Sequence, residues 1–335
     1  MKSLIKKLVE IPGPSGYEAQ IRAAVQEEVE PLVDALRIDS LGNLIARYGA
    51  EDASGLKIML AAHIDEIGLI VTHVDERGYA RFSTLGGVFP LTMVGGRVRF
   101  LDGSFGIIGK EWGKGFRDLP GFDGMFIDLG VDKREDCPVK VGDVAAFERP
   151  FLDMGKRLVS KAMDDRVGTA VLIETLKKLK ADGYESDHQI FFVFSVQEEV
   201  GVRGATAAAY AVNPDIGLAV DVAPTGDTPK GLRMEVELGK GPAIKVRDKG
   251  MLSDPRIINW MVDAAEHHKI PHQMEILEFG GTDARAIQLT RAGVPAGCLS
   301  IPCRHVHTQS EMVDYDDVQN AVKLLVQLMK EPVQP

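Results

Sequence analysis

Two adjacent acids, Glu198 and Glu199, follow an apolar segment at residues 190–194 that is typical of a buried strand. Acids at the end of a buried strand need a partner, because burying an unpaired charge is costly. On an extended backbone, neighbouring side chains point to opposite faces of the sheet. We therefore expect the two acids to have different tasks, one as a metal ligand and the other in proton transfer.

The same pattern recurs at the ends of other apolar or helical runs. Apolar runs at 56–64, 216–222 and 296–302 contain or lead to His63, Asp221 and His307, and Asp164 stands just before a helical pattern. In an open α/β sheet the carboxyl ends of the strands form one crevice, where ligands bind. Together with Glu199, these residues form a candidate metal cluster. A ligand set of His, Asp and Glu without Cys suits zinc, cobalt or manganese.

Each of these residues also has an ordinary structural explanation. Asp221 could cap a helix or a turn, and Asp164 with Asp165 could begin a helix, where acids are favoured. His307 has a competitor in His305, since both rings would face the same side of an extended segment. Only the recurrence of the pattern favours a metal site.

Composition favours a cytoplasmic enzyme with two domains. The length of 335 residues exceeds the usual single-core range. Three cysteines without a framework spacing argue against disulfides. The net charge of -10, without basic blocks, argues against a nucleic-acid partner. We find no signal-peptide pattern and no apolar run of the roughly 18 residues that a membrane span requires.

The sequence pattern predicts a discontinuous α/β domain. Helical and strand patterns alternate over residues 1–65 and 159–335, which we expect to form the catalytic domain. Residues 66–158 are rich in glycine and short strands, as is typical of a small β domain or barrel. This segment must be an insertion, because His63 and Asp164 have to meet. Helices are expected near 18–33, 169–180, 257–268 and 315–330.

Six motifs together resemble the TET-type metallo-aminopeptidases of metallopeptidase family 42. This family includes glutamyl and deblocking aminopeptidases and some members described as cellulases. The motifs lie at residues 11–18, 62–68, 163–166, 197–201, 280–284 and 307–311. The resemblance covers nearly the whole chain. It implies a three-layer α/β/α metallopeptidase core, a β-barrel-like dimerisation domain at 66–158, and dimers that assemble into a dodecamer.

The resemblance also implies a centre of two divalent metal ions, zinc or cobalt, bridged by Asp164. The other ligands would be Glu199 and His307 at one ion, and His63 and Asp221 at the other. The family pattern favours His307 over His305 as the ligand.

Two further residues would act beside the ions. Asp65 would accept the second ring hydrogen of His63 and fix the orientation of that ring. Glu198 would be the general acid/base, taking a proton from water and returning it to the leaving amine. The resemblance also implies a cis peptide bond between Asp164 and Asp165.

The predicted function is the removal of N-terminal residues from short peptides. Asp283 is a candidate for contact with the substrate amine, with loop capping as its alternative. Arg285 is a candidate for contact with an acidic side chain, or else a surface residue. A metal-dependent deacylase or carboxypeptidase on a similar core is the main alternative function, and dependence on a free amine would distinguish it.

Two other functional classes fit less well. A glycoside hydrolase needs two carboxyl groups about 5 to 9.5 Å apart and aromatic platforms for the sugar, whereas neither Trp112 nor Trp260 adjoins the acids. A non-catalytic binding protein would have no need of Glu198 next to a ligand acid.

Overall fold

The computed structural model describes residues 1–113 and 118–331. Residues 114–117, within the predicted insertion, and 332–335 lie outside the described residues. The α-helices are α1 (Lys2–Glu10), α2 (Ala19–Val29), α3 (Met163–Ala181), α4 (Arg203–Val212), α5 (Pro255–His267), α6 (Asp283–Gln288) and α7 (Tyr315–Lys330). The strands are β1 (Ala35–Ile38), β2 (Leu44–Tyr48), β3 (Lys57–His63), β4 (Gly68–Val74), β5 (Ala80–Leu85), β6 (Arg97–Phe100), β7 (Phe105–Lys110), β8 (Met125–Asp128), β9 (Val144–Phe147), β10 (Leu152–Met154), β11 (Arg157–Ser160), β12 (Gln189–Ser195), β13 (Ile216–Ala223), β14 (Ala243–Arg247), β15 (Gln273–Ile276), β16 (Ala296–Arg304) and β17 (Glu311–Asp314).

A mixed sheet forms the centre of the molecule. Its strand order is β1-β2-β12-β3-β13-β16-β17-β11-β10, and β14 joins it by pairing with β16 and with β15. The neighbours β12, β3, β13 and β16 run parallel to one another. Because the carboxyl ends of parallel strands lie at one edge of a sheet, the residues that end these four strands meet there.

Helices cover both faces of this sheet. The face with α3 and α7 also carries α1, α2 and α5, and the opposite face carries α4 and α6. In α7 the buried residues Val318, Ala321, Val322 and Leu325 recur at helical spacing, so one apolar stripe faces the core. The expected three-layer α/β/α core is confirmed.

A closed barrel of six strands is inserted between β3 and α3. Its order is β4-β5-β8-β7-β6-β9, closed by the pairing of β4 with β9. It has an apolar core of its own, which includes Leu69, Phe82 and Phe100. The barrel strands end at Phe147, and β10 and β11 pair with the main sheet through β17. Barrel pairing therefore ends before residue 158, the limit expected for the insertion.

The expected helices and strands agree with the structure. The helical patterns correspond to α2, α3, α5 and α7, and the apolar runs at 190–194 and 296–302 lie within β12 and β16. The chain leaves the sheet after His63, builds the barrel and returns to Asp164 at the start of α3, which brings these two residues together. No helix in the described part of the chain has the length and apolar character of a membrane span.

Candidate metal centre

Asp164 lies between two histidines in a buried polar cluster. Its Oδ1 is 3.0 Å from Nε2 of His63, and its Oδ2 is 3.3 Å from Nε2 of His307. The same nitrogen of His307 is 3.3 Å from Oε2 of Glu199, and Nε2 of His63 is 4.0 Å from Oδ1 of Asp221. The structure thus brings together all five residues expected to bind metal.

The cluster forms where the parallel strands end. His63 ends β3, Asp221 lies near the end of β13, Glu199 follows β12, and His307 follows β16. Asp164 and Asp165 stand at the start of α3, where both have non-helical backbone angles. The peptide bond that joins them is cis, as the family resemblance implied.

Glu198 and Glu199 do not continue the strand. β12 ends at Ser195, and Gln197 has a φ of 56°, so the chain turns before the two acids. The expectation that strand alternation separates their side chains is therefore wrong. Both side chains nevertheless line one cavity with the histidines of the cluster.

The segment that carries His305 and His307 is also a turn. Both residues have a φ of 61°, so the expectation of an extended segment is wrong here too. His305 is exposed, whereas His307 lies in the cluster with Asp164 and Glu199. This placement favours His307 as the ligand.

Asp65 connects several parts of the site. Its carboxylate accepts hydrogen bonds from the backbone N–H groups of Glu198 at 2.9 Å and Glu199 at 3.2 Å, and from Oγ of Ser15 at 2.6 Å. Nδ1 of His63 is 3.5 Å from Oδ1 of Asp65 and 3.2 Å from its carbonyl oxygen. The carbonyl oxygen is therefore the nearer acceptor for His63. The carboxylate of Asp65 mainly fixes the turn that carries the two glutamates.

Glu311 is a buried acid to which the sequence assigned no role. Its Oε2 accepts a hydrogen bond from the N–H of Asp164 at 2.9 Å, and its Oε1 accepts one from the N–H of His307 at 2.8 Å. Glu311 thereby connects the start of α3 to the turn after β16. Glu311 lies in the same sequence motif as His307, which could have indicated that it belongs to the site. The motif did not indicate the contact with Asp164.

Asp165 is a second acid whose role the sequence did not indicate. One carboxylate oxygen of Asp165, one ring nitrogen of His63 and one carboxylate oxygen of Asp221 all lie within 4.8 Å of one another. Oδ1 accepts a hydrogen bond from the N–H of Gly168 at 3.1 Å, and Oδ2 is buried without a hydrogen-bond partner among the described residues. Burial, together with the charge of Asp221, raises the pKa of Asp165 well above its usual range. Asp165 is therefore an additional candidate ligand.

Burial dominates the electrostatics of the cluster. It raises the pKa values of Glu198 and Asp221 well above their usual range, and that of Glu199 to about 7. Burial lowers the pKa of His307, but Glu199 and Asp164 outweigh it and raise the pKa to about 10. Crowded carboxylates in a low dielectric are stabilised by a cation. The donor set and the unpaired oxygen of Asp165 fit a divalent metal such as zinc or cobalt.

A cavity of about 610 Å³ opens over the cluster. Besides the charged residues, apolar side chains that include Val222, Leu277 and Phe279 line it, and Arg285 lies on its wall. Asp283 is not among the described residues that line it. The Asp283 carboxylate is buried and accepts a hydrogen bond from Oγ of Ser195. Burial raises the pKa of Asp283 to about 6.

The barrel also reaches this cavity, through the loop after β5. A Cβ at Gly87 would lie 2.6 Å from Nδ1 of His307, and one at Gly86 would lie 3.0 Å from Oε2 of Glu199. The rings of Phe89 and His307 have centroids 6.4 Å apart. None of the six sequence motifs includes this loop, so the sequence analysis missed this part of the site.

The chain belongs to the M42 peptidase family. The family model for M42 glutamyl aminopeptidases matches residues 42–324. A relative from Acetivibrio thermocellus is 45% identical over 331 residues, with 98% of each chain covered. The lysyl aminopeptidase of Pyrococcus furiosus is 35% identical over 343 residues, covering 98% of this chain and 96% of that protein.

The fold comparison leads to the same family. The TET1 peptidase of Pyrococcus horikoshii, described as able to assemble into a tetrahedron or a large octahedral shell, has a TM-score of 0.88. It is 31% identical, and the match covers 98% of each chain. The family expected from the sequence motifs is confirmed, and it is a family of aminopeptidase hydrolases.

Proposed function

We propose that the chain is a two-metal aminopeptidase that removes N-terminal residues from short peptides. The observation that carries this proposal is the position of Asp164, whose two carboxylate oxygens lie against His63 and His307. A carboxylate with one oxygen for each of two neighbouring sites is suited to bridging two ions. Family membership supports aminopeptidase activity over the deacylase and carboxypeptidase alternatives.

The two sites would share Asp164. Glu199 and His307 would hold one ion, and His63 and Asp221 would hold the other, with zinc or cobalt as the preferred metals. When bound, paired divalent ions polarise a carbonyl group and make hydroxide available near neutral pH.

Glu198 is proposed as the general acid/base. It lines the cavity beside the ligands, and Asp65 fixes its backbone by accepting its N–H. Its carboxylate would take a proton from the attacking water and deliver that proton to the amine nitrogen as the peptide C–N bond breaks. Proton transfer of this kind contributes about 10² to 10⁴ in rate. Asp65 would act as a positioning residue through the turn and His63.

We further propose a cytoplasmic homo-oligomer in which barrels pair into dimers and the dimers form a dodecamer. Exposed apolar side chains on the barrel, including Leu91, Phe105 and Ile107, support a contact surface there. A closed assembly with inward-facing sites would admit short unfolded peptides and exclude folded proteins. Size would then select the substrates more than sequence does.

Timed digests of oligopeptides test the proposed function. Mass spectrometry should show loss of one residue at a time from the free amino end, while N-acetylated versions of the same peptides and native globular proteins stay intact. Internal cleavage products, or equal rates on free and acetylated peptides, would overturn the aminopeptidase assignment. Sedimentation analysis of the same preparation measures the assembly.

A further inference from the structure

A buried lysine lies on the wall of the cavity that holds the metal cluster. Lys245, in β14, lines this cavity but is only 1% exposed. Its Nζ forms an ion pair with Oε1 of Glu275 and lies 3.9 Å from Oδ2 of Asp248. A lysine on a cavity wall would ordinarily attract a substrate carboxylate. In this cavity two acids of the protein already occupy that lysine.

The pairing of strands places this ion pair on the same sheet face as the metal cluster. Lys245 stands opposite Glu275 in β15 and opposite Cys298 in β16. Asp221 in β13 stands opposite Ser300 in β16. Opposed residues share a face, as do residues two apart on one strand. Lys245 and Asp221 therefore lie on one face, on strands that both pair with β16.

The cluster formed by Lys245, Glu275 and Asp248 carries no net positive charge. Burial lowers the pKa of Lys245, but Glu275 outweighs it and raises the pKa, so the amine stays protonated near neutral pH. Oε2 of Glu275 and Oδ2 of Asp248 are buried and have no hydrogen-bond partner in the described part of the chain. Two carboxyl groups thus face one ammonium. A substrate carboxylate would have to displace Glu275 to reach Lys245.

Much of the neighbouring wall is apolar, although Arg285 is an exposed cation on it. Val222, Leu277, Phe279 and Val306 supply apolar surface to the same cavity. An apolar side chain of the substrate that enters the cavity binds favourably, because its surface is removed from water. A basic side chain would face Lys245, because Glu275 and Asp248 are buried and do not line the cavity. Burial of an unpaired charge is unfavourable.

We propose that the cluster of Lys245, Glu275 and Asp248 sets the selectivity for the N-terminal side chain of the substrate. It makes the cavity accept uncharged, apolar residues such as leucine and methionine in preference to acidic or basic ones. This inference rests on the proposed aminopeptidase function and specifies its substrate class. Loss of the Glu275 charge removes the nearer of the two acids, leaves Asp248 at 3.9 Å as the remaining one, and should shift selectivity toward N-terminal glutamate.

The test compares kcat/KM for the p-nitroanilides of leucine, glutamate and lysine with the metal-loaded protein. The unchanged protein should hydrolyse the leucyl substrate at least about tenfold better than the other two, a typical size for pocket discrimination. In E275Q the leucyl-to-glutamyl ratio should fall at least about tenfold. The change should appear as a lower KM for the glutamyl substrate.

A variant without any charge in this cluster covers the case in which E275Q does not fold. Replacing all members of a buried ionic cluster by uncharged residues is often neutral or stabilising, whereas removing one member is not. K245M/D248N/E275M, which leaves no buried charge unpaired, should therefore fold, keep its metal and retain the preference for the leucyl substrate. A leucyl-to-glutamyl ratio in this variant well below that of the unchanged protein would overturn the inference.

Two further variants serve as controls. E66Q breaks a second buried lysine–glutamate pair of the described residues, in which Nζ of Lys161 is 2.7 Å from Oε2 of Glu66; neither residue lines the cavity. It should leave the leucyl-to-glutamyl ratio unchanged. R285A removes an exposed cation on the same wall. If R285A moves the ratio and E275Q does not, the assignment to Lys245 is wrong.

The outcomes separate this inference from the proposed function. A preference of the unchanged protein for the glutamyl or lysyl substrate overturns the selectivity inference and leaves the aminopeptidase function standing. An unchanged leucyl-to-glutamyl ratio of kcat/KM in folded, metal-loaded E275Q likewise overturns the selectivity inference and leaves the aminopeptidase function standing. Absence of hydrolysis of all three anilides overturns the proposed function and the inference with it.

Discussion

The carboxyl edge of the central sheet and the loop after barrel strand β5 face the same cavity with different chemistry. The sheet edge supplies acids and histidines, held by hydrogen bonds to residues such as Asp65 and Glu311. The barrel loop supplies Gly87 and Phe89, which carry no charge and lie against His307. One region therefore provides charged groups suited to metal binding and proton transfer, and the other limits the shape of the cavity. Substitutions in the two regions should differ in kind as well as in size.

The largest effect should follow removal of the ions that the sheet edge would hold. Dialysis against a chelator should reduce hydrolysis of aminoacyl anilides to background, and zinc or cobalt should restore it. Elemental analysis of the active protein should find two divalent ions per chain. A fully active preparation with one ion, or with none, would contradict the two-metal proposal.

The second prediction separates Glu198 from Glu199 within the sheet edge. E198Q should keep both ions and lose at least about a hundredfold in kcat, the low end of general-base effects. E199Q is the matched change at the neighbouring residue and should lose metal occupancy first. Metal titration with kinetics on both variants decides the assignment. The reverse order of losses would mean that the two roles are exchanged.

The third prediction tests the close approach of the barrel loop. In G87A the new methyl group would meet Nδ1 of His307 at 2.6 Å, so the ring must shift. We expect kcat/KM to fall about tenfold, less than the hundredfold that a 1 Å misplacement can cost. G113A is the control, since among the described residues its methyl group would meet only Oδ2 of Asp118, at 3.9 Å. Equal activity of G87A and the unchanged protein would show that the loop does not constrain His307.

The smallest effect should come from Phe89, which contributes only to the cavity wall. F89A should raise KM a few-fold and leave kcat unchanged, as expected when binding is lost equally from substrate and transition state. F105A is the matched control, because Phe89 and Phe105 are 56% and 55% exposed and Phe105 does not line the cavity. Since Phe105 lies on the proposed contact surface, the two variants are compared after sedimentation has shown that both keep the same assembly. A fall in kcat for F89A would instead give the barrel loop a part in the chemistry.

The sequence predicted the sheet side of this comparison well. Apolar runs showed where β3, β12, β13 and β16 end, and the rule that parallel strand ends meet at one edge then grouped their acids and histidines. Local geometry after the strands was less predictable. The turns at Gln197 and His305 depend on left-handed backbone angles, which are uncommon for residues other than glycine and are not predicted by a glutamine or a histidine in the sequence.

The barrel side was predicted only as a fold. Glycine and short strands indicated a small β domain, but nothing in the local sequence placed Gly87 against a histidine 220 positions away. The local sequence likewise did not predict the hydrogen bond between Glu311 and the N–H of Asp164, because these residues are separated by 147 positions. Contacts of this kind depend on how separate elements dock.

The sequence by itself determined the family, the strand and helix pattern, and the residue types available for metal and proton chemistry, because these depend on local periodicity and short motifs. The tertiary structure alone decided which acids became supports, such as Asp65 and Glu311, and which cation became neutralised, as Lys245 is by Glu275. The physical reason is that burial and pairing set the behaviour of a charged group. Both are fixed only when distant segments pack together.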